Sequence, residues 1–293
     1  MVAPAQLSKN DRAERAGECV AGMNPLSGVD SNTAMENLLD IIGYLGVYRT
    51  ARQLRNRYLR PDLENRFKTL RQFYTQFIRP GDLVFDIGAN RGDRTEVFVR
   101  MGARVVAAEP QPFLAARLRA IFRYSEVSVE PVGVGSAHGT LPLHLCSVDS
   151  VSSFSQEFIH NRSKENFSRQ WDRVEMVPVV TADSLIQKHG LPVFLKIDVE
   201  GFEGEVFAGL TQPVKNLSFE VHPDDSPGSL ADCLKRLDQL SNYEFNLALE
   251  EELQFELPQW VDSGRLLKAM REIPESKWTY GDIYARRSDA RSN

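Results

Sequence analysis

The chain has little cysteine. Cys19, Cys146 and Cys233, three in 293 residues, are too widely separated for a disulfide framework or a C-x-x-C metal knuckle. They read as reduced and structural. Long apolar runs are also missing: none approaches the roughly 18 residues of a membrane span, and the opening residues lack the apolar core of a signal peptide. The expectation is a cytoplasmic protein with no membrane span. There is no basic surplus either, since 35 Lys and Arg face 40 Asp and Glu for a net charge of −5. Nucleic-acid binding normally needs a basic surface, so no nucleic-acid partner is expected.

What remains is ordinary for a globular chain, 42% hydrophobic and 26% charged. The length suits one large α/β domain, or a domain of about 200 residues with an accessory segment. One stretch departs from the acidic average. From Arg52 to Arg71, seven basic residues (Arg52, Arg55, Arg57, Arg60, Arg66, Lys68, Arg71) face two acidic ones, Asp62 and Glu64. Such a run is usually a solvated helix face, though docking on an anionic surface is the alternative.

Residues 1–30 show no hydrophobic period and read as an arm without a fold of its own. Thr33 and Glu36 have capping-box spacing ahead of an apolar face at Met35, Leu38, Leu39, Ile42 and Leu45. After Pro61 a second stripe follows, Leu63, Phe67, Leu70, Phe73, Tyr74 and Phe77, running to Pro80. Residues 31–79 are therefore read as a helical cap, 80–287 as the main domain and 288–293 as a tail. A homodimer through the cap helices is possible, but packing on their own domain explains their apolar faces equally well.

From Gly81 onward, short apolar runs alternate with helical segments, the sequence form of a parallel sheet. Strands are expected at 83–87, 104–108, 127–134, 193–197 and 217–221, with helices near 95–101, 114–122 and 230–240. Residues 140–145 and 175–180 read as extra strands around a polar loop at 147–172, and 243–249 with 278–286 as an antiparallel closing pair. The fold class is thus α/β, a doubly wound, mostly parallel seven-stranded sheet. Ser152, Ser153, Phe154, Phe158, Phe167 and Trp171 make the loop a candidate cover for a ligand.

The strongest chemical signal is VFDIGANRGDRT at 84–95. An apolar strand runs into Asp86, Gly88, Asn90 and Gly92 and then into a helix. At the carboxyl end of a parallel strand, Gly88 and Gly92 would let a ligand approach the backbone, and Asp86 can accept its hydrogen bond. Glu109, which ends the next strand in VVAAEPQP, is placed to bond both hydroxyls of a ribose. NAD would also satisfy Glu109, but a dinucleotide fingerprint has glycine where Asn90 stands, and Asp86 would repel a pyrophosphate. A cofactor with an amino group and a sulfonium suits the loop better.

Together GDLVFDIGANRGDRT, VVAAEPQP, LKIDVEGFEGEVFAGL and LSFEVHP, in this order between Pro80 and Pro223, resemble the FkbM-type branch of the S-adenosylmethionine-dependent methyltransferases. The resemblance implies a Rossmann-like class I methyltransferase fold with S-adenosylmethionine as cofactor. The cofactor pocket it implies is formed by the loop carrying Asp86, Gly88, Asn90 and Gly92, by Glu109 with Pro110 and Gln111, and by Val132, Gly133 and Val134. It also implies O-methylation of a small-molecule or glycan acceptor, a sugar or secondary-metabolite hydroxyl.

Within LKIDVEG, Lys196, Asp198 and Glu200 alternate, so they share one strand face at the crevice. Asp198 and Glu200 could meet the acceptor, or Lys196 could pair with one carboxylate while Glu200 caps the helix after Gly201. His222, at the end of the fifth strand, is the first choice for a general base, with Asp198 the second. Mg²⁺ at Asp198, Asp224 and Asp225 is considered, but a turn explains that Asp pair more simply, and no metal is expected. Two rival readings stay open, a nucleotide-binding dehydrogenase and a non-catalytic scaffold that keeps the fold.

Overall fold

Leu83–Ile87 (β1) is buried at all five positions, and its alternation divides it between two cores. In a computed structural model, which describes residues 61–146, 151–165, 170–223, 227–250 and 253–288, Leu83, Phe85 and Ile87 join one apolar cluster and Val84 the other. Phe194–Ile197 (β7) divides likewise, Leu195 and Ile197 to the first and Phe194 to the second. A strand buried on both faces belongs at the centre of a parallel sheet covered by helices.

The remaining strands are Arg104–Ala108 (β2), Val127–Glu130 (β3), Gly133–Val134 (β4), Gly139–Leu145 (β5), Arg173–Val180 (β6), Asn216–Val221 (β8), Tyr243–Leu249 (β9) and Gly281–Arg287 (β10). The main sheet has seven strands in the order β3-β2-β1-β7-β8-β10-β9. Pairing is parallel from β3 to β8 and antiparallel on both sides of β10. The chain winds outward from β1 through β2 and β3, then returns to the other side of β1 with β7. The crevice beyond the carboxyl ends of β1 and β7 is therefore a topological switch point, where open α/β sheets bind ligands.

Helices cover both faces. Ala182–His189 (α5), Glu203–Ala208 (α6), Pro227–Leu240 (α7) and Ser263–Glu272 (α8) supply Leu185, Phe207, Leu237 and Leu266 to the first cluster. Pro61–Tyr74 (α1) and Asp93–Arg100 (α2) supply Leu70, Tyr74, Val97 and Phe98 to the second. Pro112–Ile121 (α3) follows β2, and Gln156–Glu165 (α4) lies in the excursion before β6. Arg100 ties α1 to α2, bonding Glu64 at 2.9 Å and Glu96 at 2.6 Å with its guanidinium 4.6 Å from the centre of the Phe67 ring.

Several expectations need correction. The strand expected at 127–134 is two strands in two sheets: β3 ends at Glu130, opposite Ala108, and Pro131, lacking an N–H, cannot continue a ladder. Beyond it β4 pairs with β6, and β6 with β5, in a separate three-stranded sheet. The apolar stripe toward Pro80 is helical only to Tyr74, with Phe77 and Ile78 buried in the turn beyond. Helix α4 interrupts the polar loop, the helix expected after Gly201 is α6, and α5 and α8 were not anticipated. The capping pair Thr33 and Glu36, the apolar face from Met35 to Leu45, and the basic residues from Arg52 to Arg60 lie outside the described residues. Among those described, no helix is long and apolar enough to cross a membrane.

Candidate active site

Four strand ends meet at one cleft. Beyond β1, Asp198 N donates to Ile87 O at 2.9 Å, and Gly88 N and Ala89 N donate to Ala108 O at 2.9 and 3.0 Å. The loop is thereby sewn to both neighbouring strands. A cleft of about 1030 Å³ opens there, lined by Asp86, Gly88, Asn90, Glu109, Pro110, Gln111, Gly133, Val134, Lys196, Asp198, Glu200 and His222 among others. Small-molecule pockets run from about 300 to 1,000 Å³, so this cleft stands at the large end of that range.

Among the cofactor-binding and catalytic candidates read from sequence, Gly92 is absent from this lining, as are Ser153, Phe158 and Trp171 of the candidate cover. The role of Gly92 is packing: φ is +82°, and an added Cβ would stand 2.6 Å from Leu118 and 2.9 Å from Phe122 of the adjoining α3 region. Gly88 has a similar task. At φ +80° its added Cβ would fall 1.7 Å from the carbonyl oxygen of Asp198, so the close approach expected for a ligand is made first by the protein's own β7 turn.

Asp86 is buried and accepts a 2.5 Å hydrogen bond from Thr95 Oγ1 in α2. Burial raises its pKa, against the pull of Thr95 and Lys196. Glu109 is also buried, with Oε2 accepting from Asn90 N and Oε1 from Gln111 N, each at 2.8 Å. A carboxylate has about four lone-pair sites, so this one can order both loops at once. Asn90 holds a positive φ of 49°.

Lys196 is buried on the face shared with Phe194, its Nζ 2.9 Å from Asp198 Oδ2 and 4.0 Å from Asp282 Oδ1. Burial opposes its charge, but the two carboxylates outweigh burial and hold its pKa above the ordinary value. Asp198 is likewise pushed up by burial and pulled down further by Lys196. The pairing half of the structural reading of LKIDVEG is thus met. The capping half is not: α6 begins at Glu203 with Phe202 as its N-cap, and Glu203 Oε1 accepts from Val199 N and Gly201 N at 3.3 and 3.4 Å. Nor do Asp198 and Glu200 share a strand face, because β7 ends at Ile197 and Glu200 sits in a left-handed turn at φ 55°.

That turn carries Glu200 toward β8. One oxygen each of Glu200 and Glu220 and one ring nitrogen of His222 lie within 4.8 Å of one another. Burial raises the pKa of both carboxyls well above the ordinary range, Asp198 and Glu203 adding at Glu200, Asp198 and Glu200 at Glu220. Glu220 was not singled out from sequence. Strand alternation two residues before His222 was the available signal. Asp198 is not in this group, and Asp224 and Asp225 lie outside the described residues.

The polar excursion does close over this end. Ser153 Oγ donates to Glu200 O at 2.6 Å, Phe158 packs against Gly201 and edge-on to the His222 ring at 5.8 Å, and Trp171 Nε1 donates to Val151 O at 3.0 Å. Val151, Ser152, Phe154 and Arg162 line the cleft. Phe167 lies outside the described residues.

Comparison with known proteins decides the family. The family model described as the methyltransferase FkbM domain matches residues 86–253, more than half of the chain and all four strand ends of the cleft. The chain belongs to the FkbM methyltransferase family. It is an S-adenosylmethionine-dependent methyltransferase, which sets aside the dehydrogenase reading. No curated protein matches it by sequence. Among solved structures it is similar to a TehB-like SAM-dependent methyltransferase from Corynebacterium glutamicum, at 10% identity over 75% of this chain and 88% of that one, TM-score 0.40. It is also similar to an rRNA methylase from Streptococcus thermophilus, at 9% identity, coverage 75% and 94%, TM-score 0.38. The plantazolicin methyltransferase BpumL in complex with SAH matches at 11% identity, coverage 86% and 97%, TM-score 0.38.

Proposed function

We propose that this FkbM methyltransferase methylates oxygen, on a hydroxyl of a sugar, glycan or secondary metabolite. The observation that carries the reading is the division of one cleft into two chemically different ends. At one end, Asp86 and Glu109 offer carboxylate acceptors beside Gly88, Asn90, Pro110, Gln111, Gly133 and Val134. At the other, Glu200, Glu220 and His222 gather proton-accepting groups.

S-adenosylmethionine supplies an activated methyl on a sulfonium. In this reading Asp86 accepts from the amino acid part or a hydroxyl, and Glu109 accepts from the ribose through the lone pairs its backbone donors leave. Lys196 keeps Asp198 ionised between the two ends, which favours a cation such as the sulfonium. The acceptor hydroxyl lies on the far side of the methyl from sulfur, and its proton passes to the cluster containing His222. Positioning supplies much of the acceleration, and proton removal typically contributes a further 10²–10⁴-fold, as an order of magnitude.

The test is incubation with S-adenosylmethionine and a panel of hydroxylated acceptors, followed by mass spectrometry and nuclear magnetic resonance of the product. An O-methyl ether is expected, with His222→Ala losing turnover by about 10²-fold or more while cofactor binding persists. Methyl found on nitrogen or carbon would refute the oxygen assignment.

A further inference from the structure

The cluster at the acceptor end has a feature that proton transfer leaves unexplained. Glu220 Oε2 is sealed from solvent and has no hydrogen-bond partner, its close ionic neighbour being His222 Nε2 at 3.6 Å. A buried carboxylate oxygen left without a donor costs about 1–3 kcal/mol or more, and such orphans in native proteins call for a water, an ion or a functional cause. Glu220 and His222, two apart at the end of β8, reach the same side of the sheet, and the turn after β7 brings Glu200 to meet them. The backbone of that turn is fixed by the bond from Ser153 Oγ to Glu200 O.

We infer that Glu200, Glu220 and His222 form a divalent-cation site at the acceptor end of the cleft, suited to Mn²⁺ or Zn²⁺ more than to Mg²⁺. The geometry is near that required: Glu220 Oε2 and His222 Nε2 are already 3.6 Å apart, the three ligand atoms lie within 4.8 Å of one another, and a tetrahedral ion at about 2.0–2.2 Å from each would set them roughly 3.3–3.6 Å apart. The donor set decides the metal. Imidazole favours transition ions, whereas Mg²⁺ prefers an all-oxygen octahedron and keeps its waters. Three protein ligands leave a coordination position open.

This rests on the methyl-transfer reading of the cleft and deepens it by making His222 a ligand in place of the proton acceptor. The open position would take the acceptor hydroxyl and lower its pKa, with His222 serving as a ligand. The hydroxyl proton leaves to water, the oxygen lone pair forms the new O–C bond, and the C–S bond breaks with its electron pair going to sulfur. The site differs from the Asp198, Asp224 and Asp225 grouping considered from sequence.

The experiment uses the full chain, stripped with a chelator and titrated with MnCl₂ under electron paramagnetic resonance, then with ZnCl₂ by calorimetry. Saturable binding of one ion per chain is expected, with an imidazole nitrogen coupling on the bound Mn²⁺ that His222→Ala abolishes. Glu220→Gln and Glu200→Gln should each weaken binding more than about tenfold, with melting curves recorded to confirm folding. Absence of saturable binding, or bound Mn²⁺ without nitrogen coupling, overturns the site, and the latter needs no variant. S-adenosylmethionine is titrated in parallel. If the stripped protein binds it but no metal, the cation site alone fails; if S-adenosylmethionine does not bind with or without metal, the methyl-transfer reading of the cleft fails too, and the inference with it.

Discussion

Replacing Gly88 by alanine tests how the cleft is built. At φ +80° the added Cβ would lie 1.7 Å from Asp198 O and 2.8 Å from Asp198 C. Both obstacles are backbone, so no side chain can swing aside. The left-handed backbone costs an ordinary residue about 1–2 kcal/mol, and forcing extra volume into a packed site costs about 1–3 kcal/mol more. The sum, roughly 2–5 kcal/mol, corresponds to a fall in melting temperature of about 5–15 °C for a chain of this size. Gly139→Ala is the control, because nothing lies within 4 Å of its added Cβ and its φ is not positive; it should melt like the parent protein. Thermal denaturation followed by circular dichroism gives both values. A Gly88→Ala protein melting within about 2 °C of the parent would refute the argument that this glycine holds the ends of β1 and β7 together.

Other perturbations address the electrostatics. Lys196→Met leaves Asp198 and Asp282 without their shared cation in a buried place, and a broken buried pair costs about 3–5 kcal/mol; urea denaturation showing no loss would contradict that arrangement. Glu130 is pushed up by burial, but hydrogen bonds from Lys188 and His189, each at 2.7 Å, outweigh burial and hold its pKa below the ordinary value. Its contribution is therefore present above the ordinary carboxylate range and lost as pH falls through the lowered value. Stability measured from neutral pH downward should decline less steeply in Glu130→Gln than in the parent, and identical slopes would remove Glu130 from the account.

The sequence was most legible where one face or one residue type settled the matter alone. The bounds of β1 and β2 follow from apolar runs ended by Asp86–Gly88 and by Glu109–Pro110, because a strand buried on both faces reads as a nearly continuous apolar run. Three-dimensional pairing was less legible. Val127 to Val134 reads as one strand, and only the partner of each half, Ala108 for Glu130 and Val180 for Val134, reveals two sheets. Helix α5 was marked by Thr181, whose side chain accepts from Ser184 N, but with only eight residues it offers about two turns of periodicity.

Site residues divide in the same way. Asp86 and Glu109, both in the cleft lining, stood out in the sequence because the chemistry and the strand end occur together in a short stretch. Glu220 was quoted within LSFEVHP but passed over, since its importance depends on a turn from β7, and the positive φ of Glu200 at 55° is not written in a pattern of alternate residues. Arg66 of α1 and Asp282 of β10 line the same cleft from opposite ends of the chain. Neither carries a local signal.

The most direct measurement is calorimetric titration of S-adenosylmethionine into the parent protein and into Asp86→Ala and Glu109→Ala, each first shown to be folded. The account predicts saturable binding by the parent, and in both variants a weakening by at least about tenfold, the scale of losing one hydrogen bond to a charged group. Full affinity retained in both variants would place the cofactor elsewhere and contradict the assignment of the cleft.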